Sequence, residues 1–306
     1  TCWINAALTE IVHTDYLDRF LNAVDPELLT TSKKKEFYQT LMTLINEARG
    51  RKENGPVEKG VIRNFIDAFE GCQKECTQGN ENFKVRSQGD QAGTFFEKIH
   101  LLLDEGISDE ENDTKFLFKD YEVKHHTLYY QKDSKKLISQ SGHNEASTYQ
   151  FEASSNSKQI TFSQLILSTL DGNSRKIDIG DGTQECDYRI RLLKNVPQKI
   201  ALNIQRVGGA EAAPLTIEDI FFYQWDDGEI NKIYYKINAA AIHTRRWHWV
   251  AHSRVGSQWY THDDKKIKKG QDESKIYSHL ILERNEEKAV QKLTQEEFLT
   301  EMNLSS

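Results

Sequence analysis

The chain is poor in proline, with 4 in 306 residues, and in methionine, with 2. It holds 4 cysteines, Cys2, Cys72, Cys76 and Cys186, none arranged as C-x-x-C pairs. Neither a zinc ribbon nor a disulfide scaffold fits so few and so scattered thiols. Free thiols in a reducing compartment are expected. No H-E-x-x-H occurs, so that zinc-protease helix is excluded. No window reaches the roughly 18 apolar residues of a membrane helix. The start, Thr1-Cys2-Trp3-Ile4-Asn5, has no basic segment of a signal peptide. Excess positive charge is lacking too: the net charge is −7. A general nucleic-acid binder needs a basic stripe, so that class is set aside; the charge is compatible with a basic partner.

Aromatic residues, by contrast, are plentiful, with 14 Phe, 12 Tyr and 5 Trp. Disordered chains lack these. A globular protein with a real core and a charged surface is expected.

Apolar periodicity predicts helices over 2–24, 33–48, 57–71 and 92–105, through rows such as Trp3, Ala7 and Ile11. Beyond an acidic loop at 109–113 the period changes. Strands are predicted over 116–123, 126–131, 148–153, 186–193, 199–206, 232–242, 246–255, 258–263 and 276–283. A short helix is expected near 163–170, a loop over 208–231, and an amphipathic helix over 286–306. Helices followed by antiparallel strands make an α+β fold.

Cys2 would stand at a helix N-terminus. Unpaired N–H groups and the positive dipole end there stabilise a thiolate and offer donors to an oxyanion. A small buried cysteine is the plain alternative, and it is the reading kept for the other three. Gly256-Ser257 fits a two-residue hairpin turn. Val255 then pairs with Gln258, Val250 faces Asp263, and His248 lies diagonal to Asp263, about 7 Å away between backbones. A histidine–carboxylate couple follows, or else two surface hairpin residues. A cysteine at a helix start with that couple is the layout of a cysteine hydrolase. Zinc is the rival chemistry, since His243, His248, His252 and His262 crowd one region with Asp263. Several of these would face opposite sides of a strand, so no metal and no cofactor is expected.

Four boxes in order carry a resemblance. Thr1-Cys2-Trp3-Ile4-Asn5-Ala6-Ala7-Leu8 resembles the cysteine box of the ubiquitin-specific proteases. Val196 to Arg206 resembles their l-P-x-x-L-x-i-x-L-x-R strand. Tyr235 to His243, followed by His248-Trp249-Val250-Ala251-His252, resembles the histidine box. Trp259-Tyr260-Thr261-His262-Asp263-Asp264 resembles W-Y-x-F-D-D.

The resemblance implies a papain-like fold: a helical thumb over 1–114, a fingers-like β insertion over 115–195, a β palm over 196–285 and the C-terminal helix over 286–306. The zinc cysteines of the family's fingers are missing, implying reduced or zinc-free fingers. It further implies hydrolysis of isopeptide or peptide bonds after the C-terminal glycine of ubiquitin. Cys2 would be the nucleophile, His248 the base and acid, Asp263 the orienting acid, and Asp264 a polarising neighbour. Trp247, which replaces the usual glycine before the histidine, Trp249, and Asp90 and Gln91 of an altered glutamine–aspartate box would meet the substrate. The family's oxyanion-hole asparagine belongs a few residues before the cysteine, upstream of Thr1. Specificity for another ubiquitin-like modifier, or ubiquitin binding without cleavage, are the alternatives. A cytoplasmic setting is implied, the host cytosol in the case of a secreted effector. Acidic runs at Asp104, Glu105, Asp109, Glu110, Glu111 and Asp113, and at Asp226, Asp227 and Glu229, are candidate contacts for a basic partner, or ordinary solvated loops.

Overall fold

The computed structural model describes the chain except residues 1, 51–56, 77–91, 108–122, 147–148, 154–159, 168–171, 173–174, 179–181, 207–213, 217–218, 245–247, 264–265, 272–275 and 305–306. Among the described residues helices come first: α1 (Cys2–His13), α2 (Asp18–Ala23), α3 (Ser32–Gly50), α4 (Lys59–Cys76) and α5 (Ala92–Leu103). Strands β1 (Val123–Gln131), β2 (Lys136–Ala146), β3 (Tyr149–Ala153) and β4 (Ile160–Thr161) lead into helix α6 (Phe162–Leu167). Then follow β5 (Arg175–Asp178), β6 (Thr183–Cys186), β7 (Tyr188–Leu193), β8 (Lys199–Arg206), β9 (Leu215–Thr216) and β10 (Ile220–Asp226). The chain continues with β11 (Glu229–Thr244), β12 (His248–Val255), β13 (Gln258–Asp263), β14 (Lys266–Lys269), β15 (Tyr277–Arg284), β16 (Gln291–Leu293) and α7 (Gln295–Glu301).

The chain divides into two compact units. The first takes residues 1–120 and 237–281, the second residues 121–236 and 282–306.

In the first unit the helices close around aromatic rings. Phe37 of α3 lies 5.3 Å from Phe69 of α4, and Phe69 meets Phe95 of α5 edge-on at 5.2 Å. Each such ring, fully buried, contributes about 1.5–3 kcal/mol through the area it removes from water. Trp3, Ile4, Ala7, Leu8 and Ile11 bury one side of α1. The expected single helix over 2–24 is two, because Thr14 interrupts it. Its hydroxyl donates back to the Glu10 carbonyl at 2.7 Å and accepts from the Tyr16 N–H at 3.3 Å, offering the backbone a turn instead. Arg49 of α3 then seals the end of α1. It donates to the carbonyls of Ile11, Val12 and Thr14 at 2.8–3.0 Å and grips Asp18 with both ends of its guanidinium. Gly106 is needed for close approach: a Cβ there would stand 2.7 Å from Val24 and 2.9 Å from Leu29. The strand order in this unit is β14-β13-β12-β11, with β15 also on β11.

The second unit is β-rich. Antiparallel β2, β1 and β7 lie side by side, β10 runs parallel to β7, and β8 pairs in parallel with β3. The expected loop over 208–231 holds β9 and a hairpin of β10 with the first half of β11. Asp227 and Gly228, at φ +45° and +97°, make its two-residue turn, as the Asp-Gly pair of a type I′ turn demands. The predicted strands 116–123 and 126–131 are one strand from Val123 on, and 116–122 lie outside the described residues. The 186–193 strand is broken at Asp187. The stretch 286–306, expected as one helix, is strand β16 followed by the short α7. Thr294 sets that start by a reciprocal capping box with Glu297. Tyr223 holds α7 through its ring against Phe298 at 5.0 Å and its hydroxyl on Glu301 at 2.5 Å.

Candidate active site

The β12–β13 hairpin places the first pair of candidate groups. Its register runs from Val255 opposite Gln258 to Ala251 opposite His262. Gly256 alone of the two turn residues takes a positive φ, +61°, the form a Gly-X turn of type II′ requires. Asp263 follows the last pair by one step, and His248, three residues before Ala251, reaches it diagonally: its Nε2 and the carboxylate Oδ1 are 2.6 Å apart. The two side chains are 31% and 42% exposed, so the couple sits at a solvent-open edge. A carboxylate accepts when ionised, so in this couple Nε2 is the donor and Nδ1 is the ring's acceptor nitrogen.

Cys2 is the first residue of α1, a half-buried free thiol. The first N–H groups of a helix have no partner within it, and they create a positive potential at that end. Helix α1 packs against β12, the strand that His248 begins. Arg49 fixes the far end of α1, as described above. In its middle, Glu10 is bound to His279 of β15, Oε2 to Nδ1 at 2.8 Å, both fully buried. Burial pushes the Glu10 carboxyl up; the His279 ring and the Ala241 N–H oppose it.

The remaining histidines have other tasks. His262 bonds the Ser253 hydroxyl through Nε2 at 2.8 Å and packs on His13 of α1, ring centres 4.7 Å apart. Burial pushes its pKa down to about 4, with His13 and His252 adding to the shift. His252 is fully buried, and His243 lies against Trp249 at 5.2 Å. Among the described residues no group of three or more His, Cys, Asp or Glu could hold a metal ion.

Trp249 is half-buried on β12. Asp264, Trp247, Asp90 and Gln91 lie outside the described residues. Cys72 and Cys186 are buried, Cys186 in a small cluster with Ile138 and Ile177. Trp225 is on β10, its ring stacked on His126 at 5.5 Å. Two of the acidic candidates are engaged within the fold: Glu105 with Lys34 at 2.8 Å, and Glu229 with Lys292 at 2.7 Å. Residues 109–113 lie outside the description. Glu10 and His279 were not singled out by sequence reasoning. Glu10 breaks the apolar face of a helix that also carries Trp3 seven residues earlier, and that was the available signal.

No protein-family model matches the chain, and no curated protein matches it. Solved structures do. A chain of the SAGA Ubp8/Sgf11/Sus1/Sgf73 DUB module bound to ubiquitin aldehyde superimposes with a TM-score of 0.66 at 11% identity, over 94% of this chain and 68% of that one. The same module with a substituted Ubp8, bound to monoubiquitin, gives 0.65 at 10% identity, over 94% and 67%. A third form, with a shortened Sgf11, gives 0.65 at 12%, again over 94% and 67%. The α+β fold is therefore the fold of a ubiquitin-specific-protease-type DUB module, as the sequence boxes implied.

Proposed function

We propose that the chain is a divergent ubiquitin-specific protease that hydrolyses the bond after the C-terminal glycine of ubiquitin. The observation that carries this is the 2.6 Å His248–Asp263 couple on a hairpin packed against the helix that Cys2 begins. The fold shared with a DUB module bound to ubiquitin aldehyde supports the choice of substrate.

In this reading His248 Nδ1 takes the thiol proton of Cys2, and Asp263 stabilises the imidazolium that results. The thiolate adds to the glycine carbonyl carbon. N–H groups at the start of α1 receive the negative charge that develops on the oxygen. As the tetrahedral centre collapses, the C–N bond breaks and Nδ1–H gives its proton to the departing lysine amine. Water, deprotonated by the same Nδ1, then cleaves the thioester and restores the thiol. By the sequence resemblance Asp264 would polarise the site, and Trp247, Trp249, Asp90 and Gln91 would bind the substrate. No metal enters, so chelators leave turnover intact. The net charge of −7 favours approach of a basic partner.

The test is an electrophilic ubiquitin probe, applied to the wild type and to Cys2→Ala. Labelling of the wild type alone supports the proposal. Reaction with a probe of another modifier instead changes the substrate, and silence with ubiquitin still bound refutes hydrolysis.

A further inference from the structure

The Glu10–His279 pair is costly and has no part in the chemistry above. Both side chains are 0% exposed. Glu10 Oε1 and His279 Nε2 find no hydrogen-bond partner among the described residues. A buried pair left half-satisfied is weak evidence for stability, because apolar residues of similar volume commonly do as well or better there. What such a pair supplies is direction, since a hydrogen bond tolerates far less sliding and rotation than an apolar contact.

Its placement suits that role. The pair ties the middle of α1 to β15 of the same unit, across 269 positions of sequence. The His279 ring is in turn stacked on Phe96 of α5, centres 4.9 Å apart at 29°. Helix α1 is also held at its far end by the Arg49 hydrogen bonds, and towards Cys2 by Trp3, Ile4, Ala7, Leu8 and Ile11, apolar contacts that fix depth but not direction. We infer that the buried Glu10–His279 pair is the positioning element of the site: it sets the rotation and axial register of α1, and so aims Cys2 at His248. This rests on the cysteine-protease reading of the site.

The experiment uses the double variant Glu10→Leu with His279→Leu, which removes both polar groups and keeps an apolar filling. Three readouts are taken on the full chain: the thermal midpoint, the rate of Cys2 alkylation by chloroacetamide at pH 6 followed by peptide mapping, and turnover of a fluorogenic ubiquitin substrate. Wild-type Cys2 should alkylate at pH 6 well above the rate of an unfolded thiol. The double variant should keep its melting temperature, lose that excess, and drop about a hundredfold in kcat with KM nearly unchanged, the scale of a misplacement of about 1 Å. Glu10→Gln, whose amide oxygen still accepts from His279 Nδ1–H, should stay within about threefold of the wild type. If the wild-type thiol shows no excess at pH 6, the protease reading itself fails and this inference with it. If the wild type shows it and the folded double variant matches the wild type, the protease reading stands and the positioning role is overturned. Should the double variant not fold, Glu10→Met decides in its place: a folded variant that loses the excess at pH 6 supports the role, and one that keeps wild-type rates overturns it.

Discussion

Asp263→Asn isolates what the carboxylate does. The carboxylate stands 2.6 Å from Nε2, and in the proposed mechanism it both fixes the tautomer and faces the charge that His248 acquires in the transition state. Asparagine removes the charge. Its amide can also turn its NH2 to Nε2, moving the ring proton to Nδ1 and disabling the base. The loss follows from the surroundings. With side chains 31% and 42% exposed, the pair belongs to the range between a surface and bulk-water dielectric. Two unit charges about 4 Å apart there interact by about 1–4 kcal/mol. At about 1.4 kcal/mol per factor of ten, kcat should fall by about 5-fold to about 1,000-fold. That is less than the roughly 10⁴-fold loss for a buried triad aspartate. Folding stability should change by about 1 kcal/mol or less, as for other exposed pairs. Steady-state hydrolysis of a ubiquitin–fluorophore amide measures the first effect and urea unfolding the second. A rate within twofold of the wild type would refute the orienting role. A loss as deep as that of Cys2→Ala would refute the solvent-open geometry from which the magnitude was drawn.

Arg49→Met should lower stability by about 1–2 kcal/mol, because three carbonyls at the end of α1 and Asp18 lose their shared cation; an unchanged urea midpoint would contradict the clamp. Thr294→Ala should cost about 1 kcal/mol by opening the capping box of α7, seen as a lower thermal midpoint. Stability should also fall with acidification. Burial holds His100 and His262 near a pKa of about 4, below the free value of 6.5. The unfolded chain therefore binds more protons between these values, so stability is lost as pH drops from about 6.5 towards 4 and is flat in these groups above 6.5. Urea titrations at pH 7 and pH 5 that agree would refute that burial effect, and His262→Gln should lessen the difference.

The hairpin that carries His248 and Asp263 was legible because its register depends on one turn. Gly256 leaves little choice, and the strand pairings follow the expected alignment from Val255–Gln258 onward. Strands β8 and β13 fall on the expected residues because their alternation is clean. The Asp227-Gly228 turn carried an equally strong signal, yet the polar loop reading of 208–231 hid it. Over 2–24 the apolar rhythm runs straight through Thr14, and only the hydroxyl's competing bonds reveal the break. The tail 286–306 misled for a related reason: apolar residues at loose helical spacing also fit a short strand, a cap and a single helical turn or two. Glu10–His279 could not be read at all. No local pattern links two residues so far apart in sequence; only the closed fold brings them together.

The imidazole and its carboxylate come from one hairpin, fifteen positions apart, while the thiol comes from elsewhere. Half of the proposed apparatus is thus a portable module that closes on itself by local pairing. A descendant stripped of its sulfur would keep that half intact as a relic, and its presence alone would not distinguish a working protease from a retired one.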